Sequence, residues 1–166
     1  MTCLTEGELK FTFKTGHARK FDKKGIPQPQ GWKRVDFIIE EKDITVFIEI
    51  KDYAMEALKE KDIKKKVEKL KKHEFVNEVI VPKARDSYCY QHLMKNDINP
   101  VIYIIVIGLD KKFFNEAVFH ILKDNIKKRL NQESDKPWER KYIKECFVLP
   151  YFRLNAIFPN YYVSRI

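Results

Sequence analysis

Glycine is scarce in this 166-residue chain, five residues in all, and neither G-x4-G-K-[ST] nor G-x-G-x-x-G occurs. That argues against nucleotide-driven motors and dinucleotide enzymes, whose phosphate-cradling loops need those glycines. Only three serines are present, none in G-x-S-x-G, which disfavours an esterase-type nucleophile. Cys3, Cys89 and Cys146 are odd in number and widely spaced, without the C-x2-C of a zinc site or the pairing of a disulfide framework, so reduced thiols are expected. His17, His73, His92 and His120 show neither H-x-E nor H-E-x-x-H spacing, which removes the case for a zinc hydrolase. The longest strongly apolar run, Val101 to Ile107, is too short to cross a bilayer. The N-terminal MTCLTEGELKF has neither the basic start nor the long apolar stretch of a signal peptide, so a cytoplasmic protein with no membrane partner is expected.

What the chain has in abundance is charge. Charged residues make up 34% beside 44% hydrophobic residues, a balance that specifies a folded domain rather than a disordered chain. The length suits one domain spanning 1–166. A net charge of +9 sets up a long-range field that attracts polyanions such as nucleic acid or an acidic membrane surface. Much of the excess lies in Lys59 to Lys72, where eight lysines face only Glu60, Asp62 and Glu68. Such a run serves either as a solvated helix face or as a track for phosphates.

Periodicity predicts the elements. Glu8 to Phe13 alternates as a short strand, His17 to Lys24 is expected to form a helical turn, and GIPQPQG is a loop. Val35 to Glu40 and Ile44 to Lys51 form a hairpin rich in Val, Ile and Phe. Tyr53 to Phe75 follows as an amphipathic helix with Leu58, Ile63, Val67 and Leu70 on its apolar stripe. A short strand over Asn77 to Val81, a helix over Pro82 to Lys95 and a strand at VIYIIVI come next. Phe113 to Leu130 reads as a further helix, with Ala117, His120, Ile121 and Asp124 at helical spacing, and the aromatic tail holds one or two strands. The order β, hairpin, α, α, β, α, β predicts the α/β (α+β) class, a mixed central sheet flanked by helices.

The hairpin carries three charges in apolar surroundings: Asp36, Glu49 and Lys51. Buried charges are costly unless they are paired or bind a metal, so strands this apolar must compensate for them. Alternation places Thr45, Phe47, Glu49 and Lys51 on one face. With Lys42 and Asp43 as a two-residue loop, residues whose numbers sum to 85 lie opposite, and Asp36 faces Glu49. An odd loop would turn Asp36 to the other face. In the even register the two carboxylates suit Mg²⁺ (or Mn²⁺), with the main-chain carbonyl of Ile50 as a further ligand and Lys51 acting on the same phosphate. The competing interpretation is a salt-bridged hairpin edge. Lys83, Asp86 and Ser87 share one side of the following helix and are candidates for contacting substrate phosphates or supporting the site, against a plain helix start with a local ion pair. Trp32, Trp138, Tyr151, Phe152, Tyr161 and Tyr162 suit either base stacking or core packing, with packing favoured.

RVDFII followed by FIEIKD resembles the core of the PD-(D/E)XK nuclease superfamily. More narrowly, FTF, ARKFD, VDFIIE, FIEIKD and KARDSY ahead of an apolar strand look like an uncharacterised bacterial subfamily of it. The resemblance spans Glu8 to Leu130 and implies the restriction-endonuclease-like fold. It further implies metal-dependent cleavage of nucleic acid, DNA foremost, with Asp36 and Glu49 binding the metal and Lys51 assisting hydrolysis. Many members carry an additional acid on a long first helix; here that position falls to Glu8 or Asp22. Val35 stands where the motif's name has Pro. A homodimer is expected, since one such site cuts one strand. The alternative is a non-catalytic nucleic-acid-binding or assembly module that keeps the fold.

Overall fold

The computed structural model describes residues 1–23, 29–54 and 59–166. Its centre is a five-stranded mixed sheet of order β3-β4-β5-β6-β7, built from His17–Lys20, Phe37–Glu40, Thr45–Asp52, Val101–Gly108 and Glu145–Pro150. β3, β4 and β5 run antiparallel, whereas β6 and β7 continue parallel from β5. A second sheet, β1-β2-β8, comprises Thr2–Glu6, Leu9–Phe13 and Tyr161–Arg165. The described residues also form four α-helices: α1 Glu60–Lys69, α2 Val81–Leu93, α3 Glu116–Asn131 and the short α4 Leu154–Ile157. The expected α+β class with a mixed sheet is thus observed. Among the described residues no helix is long and apolar enough to cross a membrane.

Strand alternation divides the core into two layers. Ile38, Phe47, Tyr103, Ile105, Ile107 and Val148 face the helices, packing on Leu70, Val81, Ala84, Phe119, Leu122 and Ile126. Phe37, Ile39, Val46, Ile48, Ile104 and Val106 face the small sheet, packing on Leu9, Phe11, Phe13 and Tyr161. This explains why β5 and β6 read as continuous apolar runs: both faces are covered. Asp52, at the end of β5, accepts two bonds from Arg165 of β8, at 2.9 and 3.1 Å, and ties the sheets together. Gly108 makes that contact possible, since a Cβ there would stand 2.5 Å from Asp52 Oδ1.

Two expected elements differ in kind, and the helix expected over Tyr53 to Phe75 is observed over Glu60–Lys69, with residues 55–58 outside the described ones. His17–Lys20 is an edge strand paired with β4 rather than a helical turn, with Ala18 buried and Arg19 bridged to Glu40 at 3.3 Å; Lys24 lies outside the described residues. Cross-strand pairing here outweighs a helical pattern too short to sustain itself. Phe75–Ile80 forms a π-helical stretch instead of a short strand and runs directly into α2. Pro82 supplies the reason. It has no N–H for the carbonyl four residues back, Glu78, and the Lys33 ammonium donates to that oxygen instead. The helix expected over Phe113 to Leu130 is observed as α3, whose buried stripe is Phe119, Leu122, Ile126 and Leu130, while Ile121 stays exposed. Asn115 caps this helix by accepting from Val118 N at 3.3 Å. On α1, Ile63 and Leu70 are buried and Val67 half-buried as expected, and Leu58 lies outside the described residues. β1 carries no clear signal in the sequence. It pairs with β2 around Gly7, whose φ of +56° suits a two-residue hairpin turn.

Candidate active site

The register of the β4–β5 hairpin positions the charged residues. Phe37 pairs with Ile48, Ile38 with Phe47 and Glu40 with Thr45, and Glu41 N donates to Ile44 O, leaving Lys42 and Asp43 as the two-residue loop. Asp36 therefore stands opposite Glu49 on the helix-facing side. Its Oδ2 accepts from Ile50 N at 2.6 Å, where a β4 carbonyl would sit had the strand continued. In an antiparallel pair the N–H and C=O of one residue face the same neighbour, so the Ile50 carbonyl turns toward Asp36 as well.

Glu49 is fully buried and Asp36 is 4% exposed. Two lysines meet them. Lys51 Nζ lies 2.7 Å from Glu49 Oε1, and Lys83 Nζ, from α2, lies 2.7 Å from the same oxygen and 3.2 Å from Asp36 Oδ1. Both ammoniums approach Oε1 at ion-pair distance but off the hydrogen-bonding angles, and Glu49 Oε2 has no partner among the described residues. Burial first, and then Asp36, push the Glu49 carboxyl up to about 7 against the pull of Lys83 and Lys51. Burial alone would depress Lys83, yet Glu49 and Asp36 outweigh it and hold its pKa above the ordinary lysine value.

A third acid arrives because residues 17–20 form a strand. Phe21 N donates to Asp36 O at 2.8 Å, which extends the β3–β4 pairing and delivers Asp22 beside Asp36. Burial and then the Asp36 carboxylate raise Asp22 to about 6; its side chain remains open to water, so the desolvation is partial. Glu8, the other candidate for an extra acid, is engaged elsewhere, with Arg165 Nη1 at 3.1 Å. Burial, and then Glu49, push the Tyr53 hydroxyl up to about 12.

Lys83, Asp86 and Ser87 share one side of α2 and divide the work. Lys83 enters the acid cluster. Asp86 accepts from Lys33 N at 2.9 Å and Ser87 Oγ from Val35 N at 3.0 Å, so both clamp the chain that delivers Asp36. Asp86 also holds Arg85 at 2.9 Å, the local ion pair of the simpler expectation. Arg34 lies between the rings of Phe21 and Tyr90, at 5.0 and 4.7 Å, and steadies the same segment. The direct contact of Lys83 with both carboxylates has only a faint sequence signal, a lysine following the helix-starting Pro82. Of the aromatic candidates, Tyr161 is buried against Phe13 and Phe158, while Trp138 and Tyr162 remain partly exposed. The cysteines are unpaired, as expected.

The cluster gathers more carboxylates than ammoniums, with Lys83 bridging Asp36 and Glu49. Three carboxylates face two ammoniums, one buried carboxylate oxygen is unpartnered, and burial, then the neighbouring Asp36, raises both Asp22 and Glu49. Among the described residues no three His, Cys, Asp or Glu side chains gather closely enough to hold an ion by themselves. Two carboxylates with retained waters are the arrangement Mg²⁺ favours. Comparison with protein-family models, curated proteins and solved structures finds no match to this chain.

Proposed function

We propose that the protein is a metal-dependent nuclease of the PD-(D/E)XK type, hydrolysing phosphodiester bonds in nucleic acid, with DNA as the foremost substrate. The observation that carries this reading is the buried Glu49, facing Asp36 across the hairpin with one oxygen unpartnered and Lys51 at 2.7 Å from the other. Asp36 and Glu49 would hold Mg²⁺ or Mn²⁺, which when bound polarises a phosphate and acidifies a coordinated water. Lys51, at the open edge of the cluster with 22% of its side chain exposed, donates to the phosphate oxygen on which negative charge collects. Lys83 keeps the two carboxylates together, and Asp86 and Ser87 keep Asp36 in register. The +9 charge and the exposed lysines of α1 favour a polyanionic substrate. A homodimer would supply the second site that double-strand cleavage needs.

One observation favours the non-catalytic alternative: the Lys83 ammonium already bridges the two carboxylates, so the fold has a means of compensating them without a metal. Incubating the purified chain with Mg²⁺ or Mn²⁺ and duplex DNA, single-stranded DNA or RNA separates the readings. A nuclease cuts at least one of these, and Asp36→Asn does not. A binding module holds the same nucleic acid with a log-log salt slope of about −0.9 per duplex phosphate contact, yet shows no cleavage and no heat of metal uptake.

A further inference from the structure

The C-terminal half of α3 and the start of the π-helical stretch leave a cleft of about 350 Å³ between them, floored by Val76. His73, Asn77, Asn125, Lys128 and Arg129 line it, and among the described residues no acid does. The basic end of α3 divides in the fold. Lys127 turns away to Glu145, at 2.7 Å, whereas Lys128 and Arg129 have no ion-pair partner among the described residues. The nearby Glu133 is committed to Arg85, at 2.6 Å. Gln132 and Ser134 complete the rim, with their donors used by the carbonyls of Ser134, Asp135 and Lys136. Arg129 Nε is buried and lacks an acceptor. No carboxylate among the described lining residues neutralises Lys128 or Arg129, and the acceptors in the cleft are the neutral groups of Asn77, Asn125, Gln132, Ser134 and His73.

We infer that this cleft is a binding site for a phosphoryl group. Two unit positive charges outweigh the fractional negative charge at the carbonyl end of α3. Five donor-bearing side chains converge on the space, which suits the three or four acceptor oxygens of a phosphoryl group better than the two of a carboxylate, and the arginine fork matches phosphate geometry. Lys69 and Lys72, a few residues ahead of His73 in the chain, are exposed and add to the long-range positive field. The cleft shares no residue with the Asp36–Glu49 cluster, so the inference stands apart from the proposed cleavage activity.

The test follows the Arg129 Nε–H resonance of the full chain by ¹H–¹⁵N NMR while inorganic phosphate is added at constant ionic strength. A saturating shift is expected, weakened at least about tenfold by Asn125→Asp, which places a carboxylate in the cleft at unchanged volume, and by Arg129→Gln with Lys128 amides as reporters. A backbone amide spectrum unchanged elsewhere confirms that each variant folds. If a short oligonucleotide shifts the same resonance at lower concentration than phosphate, the ligand is a nucleic-acid phosphate; if it leaves the resonance unmoved while phosphate saturates, the ligand is a free phosphoryl compound. A drift that never saturates, or saturation that Asn125→Asp leaves unaltered, overturns the inference. Asp36→Asn serves as the control and takes up phosphate like the wild type whether or not cleavage is ever observed.

Discussion

Lys83 Nζ stands 2.7 Å from Glu49 Oε1, so an ammonium carried by α2 neutralises a carboxylate rooted in the centre of the sheet. Removing one partner of a buried pair leaves an uncompensated charge, which costs about 3–5 kcal/mol when the survivor stays ionised. Lys83→Met is therefore expected to lower stability in metal-free urea titrations near pH 8 by about 3 kcal/mol. The double variant Lys83→Met/Glu49→Gln should regain most of that. Equal losses in the single and double variants would show that the pair is not the source.

The same carboxylate sets a pH dependence. Glu49 is raised from 4.5 to about 7 in the folded protein. Below pH 4.5 it carries its proton in both states and imposes no penalty; between there and about 7 the unfolded chain gives the proton up first, so stability drains away as pH rises, and above about 7 the loss is constant. Its full size is on the order of 3 kcal/mol. With chelator present, Glu49→Gln should gain on the wild type by that amount between pH 4 and pH 8. A flat difference would mean the carboxyl is not strained by its surroundings.

Metal uptake and chemistry should separate by residue. Asp36→Asn is expected to lose both the calorimetric signal of Mg²⁺ or Mn²⁺ and cleavage. Lys51→Ala should retain the metal signal while cleavage falls by roughly 10²–10³, the scale for deleting one donor to a developing oxyanion. Loss of metal binding in Lys51→Ala would reassign that lysine to holding the site together.

Ser87 has no accessible surface, and its hydroxyl is the partner of Val35 N, one residue before Asp36. Ser87→Ala leaves that amide buried and unpaired, at a cost of about 1–3 kcal/mol in thermal or urea unfolding. Ser87→Thr, which restores the oxygen, should recover part of the loss. If both variants match the wild type, the hydroxyl does not hold the Asp36 segment.

The hairpin was readable because its physics is local. A two-residue loop and strict alternation require that residues summing to 85 face one another, and the ladder from Phe37–Ile48 to Glu40–Thr45 obeys that rule. Sequence patterning likewise sufficed for the apolar strands, the apolar stripe of α1 though not its ends, and the α+β class. It failed where a partner distant in sequence decided the outcome. His17–Lys20 became a strand because β4 offered an edge, and this change brought Asp22 to Asp36. The stretch ahead of α2 widened into a π-helix because Pro82 left Glu78 O for Lys33. Lys83 reached Glu49 across 34 residues of sequence, through the packing of α2 on the sheet. Short-range stereochemistry thus determined which charges the hairpin would carry and on which face. Only tertiary packing decided which ammonium would answer them, because that contact depends on burying a helix against a strand and leaves no period in the chain.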